Sequence, residues 1–210
     1  MSDLEMSSIV LAWDHHVTDA ERMWSLIAER QSHLAGIGAR HVVMYSAVSE
    51  PNRVLVTIGI RQRRSVEELL RSPAVFEWFD LAGVEDIPAL FVGEVLEKID
   101  VLGEASGDTH PGVIVGVVTT IDDVADLIAK VHRDLHLIAS VGVRKIWIYG
   151  AVDDGQEVLI LQDIGSEHKA WRWTDYPDEL AAWMSGPRPG PYPPVFVGKV
   201  AHVMNVEATH

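Results

Sequence analysis

The chain is written twice. The segment IGARHVVMYSAVSEPNRVL, Ile37 to Leu55, aligns without a gap on VGVRKIWIYGAVDDGQEVL, Val141 to Leu159, at an offset of 104 residues. Gly38, Arg40, Tyr45, Ala47, Val48, Val54 and Leu55 recur as Gly142, Arg144, Tyr149, Ala151, Val152, Val158 and Leu159. Upstream, Ile9-Val10-Leu11 lies over Val113-Ile114-Val115. Downstream, one residue is inserted, and Phe91-Val92-Gly93 recurs as Phe196-Val197-Gly198 at an offset of 105. An ordered match of this length is a duplication, and internal repeats decide architecture before any local signal does. The formal net charge of −14 divides equally, so neither half is a charged tail. The boundaries expected are 1–103 for the first repeat, a turn-rich linker over 104–111, and 112–210 for the second repeat.

Each repeat reads β-α-β-β-α-β. Ile9 to Trp13 is a short apolar run suited to a doubly buried strand. Thr18-Asp19-Ala20-Glu21 has the pattern of a capping box with Thr18 as the cap, and apolar residues follow at helical spacing to Leu34. Arg40–Val48 and Arg53–Ile60 are β-branched-rich runs around Ser49-Glu50-Pro51-Asn52, a hairpin. Ser65 and Ser72-Pro73 mark an interrupted helix, and Ala89–Glu97 closes the repeat. In the second repeat the spacing predicts a strand over Val113–Thr119 and one helix over Asp122–Ala139. A hairpin follows over Lys145–Val152 and Glu157–Ile164, then an interrupted helix over Ser166–Met184 and a last strand over Val195–Val203. The proline-rich run from Gly186 to Pro194 reads as an extended loop.

A βαββαβ unit is the ferredoxin-like split βαβ pattern. Two in tandem resemble the dimeric α/β-barrel superfamily, with both halves on one chain. The resemblance rests on element order and duplication over residues 8 to 206, without a signature motif. It implies an α+β fold of two ferredoxin-like units packed sheet to sheet as an intrachain α/β barrel. A ligand cavity would then lie between each sheet and its helices or within the barrel. It also implies kinship with cofactor-independent monooxygenases of the antibiotic-biosynthesis type, heme-degrading monooxygenases, muconolactone isomerases, chlorite dismutases and non-catalytic ligand-binding modules.

Composition narrows the function classes. Lys and Arg number 17 against 31 Asp and Glu, which argues against a nucleic-acid or anionic-membrane partner. Cysteine is absent, which removes disulfides, thiolate metal sites and a thiol nucleophile, and fits a cytoplasmic location. No apolar run reaches membrane-spanning length, and MSDLEMSS lacks a signal-peptide layout. There is no GxGxxG after a strand, no phosphate-binding loop and no GxSxG elbow.

Strand alternation sorts the hairpins into two faces. Val42 and Met44 share one, with His41, Val43 and Tyr45 on the other. Ile146 and Ile148 likewise oppose Lys145, Trp147 and Tyr149. The aliphatic face suits packing under helices; the amphipathic face suits an inter-sheet core or a cavity wall. Trp13-Asp14-His15-His16 is the densest polar cluster at a strand end, whereas the second repeat has Val117-Val118-Thr119-Thr120 there. Asp14, His15, His16 and Tyr45 are therefore the candidate catalytic residues, since His titrates near neutrality and serves as acid or base. Parity allows only one of the two histidines to point inward, and Trp13 favours His15. The competing reading is a solvated strand end with one histidine bonded at the helix entry.

His132 and His136 stand at i, i+4, but Arg133 rather than an acid follows the first, so a partly exposed helix edge is expected and no metal site. His168 opens a helix, and a lone histidine is more often structural. Heme-degrading relatives pair a helix histidine with a tryptophan and a polar strand residue; the first repeat has Trp78 and the strand end but no such histidine, so no cofactor is expected. Arg61 to Arg64 reads as a solvated basic turn. Two functions follow: a cofactor-light monooxygenase or isomerase acting on a small apolar substrate, or a non-catalytic module that binds a small molecule or a partner. An oligomer is compatible with either.

Overall fold

A computed structural model describes residues 9–61, 89–102, 112–174 and 195–206. The expected helix from Ser65 past Ser72-Pro73, the linker, Trp78, Arg63, Arg64 and the proline-rich run lie outside the described residues. The fold is α+β, with eight strands and five helices described. The first repeat holds β1 (Ile9–His16), α1 (Ala20–Glu29), α2 (Gln31–Gly36), β2 (Ala39–Ala47), β3 (Arg53–Ile60) and β4 (Leu90–Asp100). The second holds β5 (Val113–Thr120), α3 (Val124–Arg133), α4 (Leu135–Ser140), β6 (Val143–Ala151), β7 (Glu157–Ile164), α5 (Glu167–Thr174) and β8 (Phe196–Asn205). Among the described residues no helix is long and apolar enough to cross a membrane.

The repeat shows in local geometry. Gly38 and Gly142 both adopt positive φ, 80° and 97°, the left-handed conformation that glycine takes without steric cost. The β2–β3 and β6–β7 ladders slip at equivalent places, between Ala39 and His41 and between Val143 and Lys145, so recurring Arg40 and Arg144 each sit at a bulge. Two expectations are corrected. The cap of α1 is Asp19, not Thr18: its carboxylate accepts the amides of Glu21 and Arg22, both at 3.0 Å. Asp123 caps α3 in the same way.

The single helix over Asp122–Ala139 is also two helices, broken at Asp134 (φ −96°, ψ 8°), just as the first repeat breaks at Arg30 (φ −101°, ψ 19°). Both breaks carry an i→i−3 amide bond that tightens the turn, Arg30 N–H to Ile27 O and Asp134 N–H to Val131 O. The apolar stripe runs through the break because Val131 and Ile138 are both buried. His132 and His136 thus belong to different helices, and both are exposed.

The residues divide into two compact units that are not the two repeats. Unit one is Met1–Val92 with Val200–His210; unit two is Gly93–Lys199. In unit one the strand order is β1-β3-β2, followed by the distal part of β8. In unit two it is β8-β5-β7-β6-β4, where β4 is the part from Gly93 onward. Each repeat therefore lends the end of its last strand to the unit built on the other. Those ends finish alike: Val206 N–H donates to Arg40 O at 2.7 Å, and Val101 N–H to Arg144 O at 2.8 Å. β3 is buried at every position, and β7 at all but its first, so each is covered on both faces.

A chain of residues 1–106 alone lacks β8, so the β2 edge and its Arg40 carbonyl lose their partner. Uncovered strand edges template association, and apolar area left wet forgoes about 25 cal/mol per Å². The fragment is expected to dimerise or aggregate in light scattering; a stable monomer would oppose this.

Candidate functional site

Register decides which candidate side chains can meet. His15 stands opposite Val54, Trp13 opposite Val56 and Leu11 opposite Ile58. Ile58 and Val56 in turn stand opposite Val42 and Met44. Directly opposed residues share a sheet face, so His15 and Trp13 belong to the aliphatic face. Asp14 stands opposite Leu55, which also faces Tyr45, and His16 stands opposite Arg53. Asp14, His16 and Tyr45 therefore lie on the other face. With strands about 4.8 Å apart, the Asp14 and Tyr45 backbones are separated by about 10 Å. The structure thus divides the candidates: His15 on one face, the other three on the opposite one.

The alternation expected for the two histidines is seen. His15 is 7 % exposed, whereas the His16 side chain is 65 % exposed. Burial, reinforced by the neighbouring His16, lowers the His15 pKa from 6.5 to about 4. His15 is a neutral imidazole at neutral pH, among Trp13, Leu11, Val54, Val56 and Met44, each at most 6 % exposed.

The other face carries an ionic cluster built on Arg53, a residue the sequence reading passed over. Its guanidinium grips Asp14 twice, Nε to Oδ1 at 2.9 Å and Nη2 to Oδ2 at 2.6 Å, and also bonds Glu50. The Arg53 and Asp14 side chains are 5 % and 12 % exposed. Burial raises the Asp14 carboxyl above its ordinary range, against the pull of Arg53. His16 Nε2 lies 3.4 Å from Glu50. The available sequence signal was the departure from the repeat: Glu157 stands where the first repeat has Arg53, and Val118 where it has Asp14. The cluster fastens the hairpin end of β1 and β3 beside His15.

In unit two the His15 position is Thr119 and the Ile58 position is Gln162. Both are buried, at 6 % and 1 % exposure, and Thr119 Oγ1 and Gln162 Oε1 have no hydrogen-bond partner among the described residues. This unit has its own buried pair, Arg144 Nη2 to both Asp163 oxygens at 3.0 Å, and Asp163 also takes the Gly112 amide. His168 on α5 is exposed. Among the described residues no group of three or more His, Asp or Glu side chains can hold a metal ion.

Two outcomes follow from these charges. Arg53→Met leaves the Asp14 carboxylate largely buried without its partner, at a cost of about 3–5 kcal/mol in urea unfolding; adding Asp14→Leu recovers most of it. Because the His15 pKa is lowered on folding, the unfolded chain binds the extra proton. Stability is therefore full above pH 6.5 and falls as pH drops toward about 4. At pH 4.5 the loss attributable to His15 is about 2–3 kcal/mol. The His15→Gln variant should lack this part of the acid slope, measured as the difference between the two unfolding curves at pH 7 and 4.5.

No family model matches the chain, and no curated protein does. Solved structures do. An anthrone oxidase-like protein superposes with a TM-score of 0.68 at 14 % identity, covering 97 % of this chain and 95 % of its own. A ferredoxin-fold protein related to antibiotic biosynthesis monooxygenases, from Listeria monocytogenes, gives 0.52 at 12 % identity, with 96 % and 99 % covered. LmHde, a heme-degrading enzyme of Listeria monocytogenes, gives 0.51 at 12 % identity, with 91 % and 98 % covered. At such identities the likeness shows the fold alone: that of the ferredoxin-like dimeric α/β-barrel proteins, with two repeats on one chain.

Proposed function

We propose that the chain is a cofactor-light monooxygenase acting on a small apolar substrate of the anthrone type, with His15 as the base. The observation that carries this is a neutral imidazole held on an otherwise apolar, buried sheet face. The second repeat also keeps a polar residue, Thr119, at the equivalent position. The resemblance in fold to an anthrone oxidase-like protein supports the substrate class.

The chemistry closes without a bound cofactor. An anthrone has an acidic C–H flanked by aromatic rings. His15 takes that proton, and the resulting carbanion supplies the electrons that reduce O₂. One oxygen atom stays on the carbon as a carbonyl and the other leaves as water, so anthrone and O₂ become anthraquinone and water. A base whose conjugate acid has a pKa of about 4 abstracts protons only from activated carbon and returns them readily. The apolar wall of Leu11, Val54 and Met44 excludes water from the carbanion. Asp14, with Arg53, acts as a positioning residue for the end of β1. Tyr45 and His16 lie on the other face, away from the proton transfer.

The test is O₂ uptake with anthrone as substrate. The wild-type chain is expected to consume O₂ above the buffer rate and to form anthraquinone. His15→Ala should lose about 100-fold or more, while Tyr45→Phe stays within about twofold of wild type. Saturable quenching of the intrinsic tryptophan fluorescence by anthrone, lost in Trp13→Phe and without O₂ uptake, would instead favour the non-catalytic binding module. Full activity in His15→Ala would move the chemistry away from this face.

A further inference from the structure

The borrowed strand ends carry unlike side chains at one repeat position. Glu97 of β4 and His202 of β8 correspond through the offset of 105 set by Phe91-Val92-Gly93 and Phe196-Val197-Gly198. In unit two, Glu97 Oε1 lies 3.6 Å from His132 Nε2 on α3. In unit one, His202 stacks on Trp24 of α1, with ring centroids 4.7 Å apart and planes at 11°. Its Nε2 meets Glu21 Oε1 at 3.0 Å. A strand from one repeat is answered by a helix from the other in both units.

The helix partners do not recur. Where α1 has Glu21, Trp24 and Ala28, α3 has Ala125, Ile128 and His132. These three positions follow one another along one helical stripe, at i, i+3 and i+7. If two first repeats paired with each other, Glu97 would come against Glu21 and Trp24, with alanine in place of His132. If two second repeats paired, His202 would come against His132 and Ile128, with alanine in place of Glu21. Like-with-like pairing thus gives carboxylate beside carboxylate and imidazole beside imidazole. Repeat one with repeat two gives a carboxylate and an imidazole both times, hydrogen-bonded for His202 and Glu21 at 3.0 Å and within ion-pair reach for His132 and Glu97 at 3.6 Å.

We propose that these two pairs are a matching code. It selects association of the first repeat with the second over like-with-like strand exchange between two copies of this chain. Exposed pairs are weak sources of stability, but specificity needs only a difference between right and wrong partners. The Glu21 and His132 side chains are 78 % and 49 % exposed, so they can be exchanged without disturbing the core.

The full-length variant Glu21→His/His132→Glu inverts the code. The correct pairing then holds like groups, and exchange between two chains holds complementary ones. After refolding from denaturant across a range of protein concentrations at low salt, the dimer-to-monomer ratio by size exclusion with light scattering should rise about tenfold over wild type. The fourfold variant, which adds Glu97→His and His202→Glu, should return to the wild-type ratio. Neutral Glu97→Gln/His202→Gln, the second route should the inverted chain not fold, should lie above wild type and below a tenfold rise. An unchanged ratio in the inverted variant overturns the proposal, as does a fourfold variant that dimerises as much as the inverted one. Equal ratios in wild type and the neutral variant also overturn it. Oxygen uptake with anthrone plays no part in this readout, so the two proposals fail separately.

Discussion

Two backbone hydrogen bonds state the constraint on which the architecture rests: Val206 N–H to Arg40 O and Val101 N–H to Arg144 O. A β2 or β6 strand with no neighbour beyond it would present a row of unpaired donors and acceptors to water. Each is covered by a strand whose chain segment belongs to the other repeat. The carbonyls that receive the incoming amides belong to Arg40 and Arg144, each at a bulge two residues past a glycine of positive φ, Gly38 and Gly142. The units of packing therefore differ from the units of sequence, because pairing of edges, not chain order, decides which residues are buried together.

On this duplicated frame the buried ion pairs are not duplicated. The first repeat has its buried ion pair, Asp14 with Arg53, at the hairpin end of β1 and β3. The second has Arg144 with Asp163 near the start of β6 and the end of β7. A buried charge is tolerated only with a partner of good geometry, and both pairs place a guanidinium nitrogen on each carboxylate oxygen at 3.0 Å or less. His15 on the aliphatic face has Thr119 as its counterpart, and Ile58 has Gln162. The backbone geometry of a repeat is held in common by apolar packing, which accepts many side chains of similar volume. Polar groups inside it are individually costly, so their placement separates the two halves chemically while leaving them alike in fold.

Much of the fold was legible in the sequence because burial imposes a period on it. The 104-residue offset, the two hairpins and the opposition of His15 and His16 along one strand all follow from spacing. Spacing did not show the helix breaks at Arg30 and Asp134, since the apolar stripe continues through a turn that changes only the backbone. The cap at Asp19 in place of Thr18 was a choice between two adjacent side-chain acceptors, settled by the extended backbone at Asp19 (φ −152°, ψ 109°).

The sequence by itself determined a duplicated α+β chain, its strands and hairpins, and that His15 and His16 point opposite ways. Only the tertiary structure decided which face each occupies. Alternation tells that His15 and Asp14 are on different sides of β1 but not which side of β2 shares theirs; that is a matter of register. Pairing His15 with Val54, and Leu55 with both Asp14 and Tyr45, put the imidazole on the aliphatic face and the other candidates across the sheet. The same holds for Arg53 and Asp14, which are 39 residues apart in sequence. It holds also for His202 and Glu21, 181 apart. Contacts at such separations are fixed by ladder pairing and by which strand covers which edge, and no local pattern of residues encodes either.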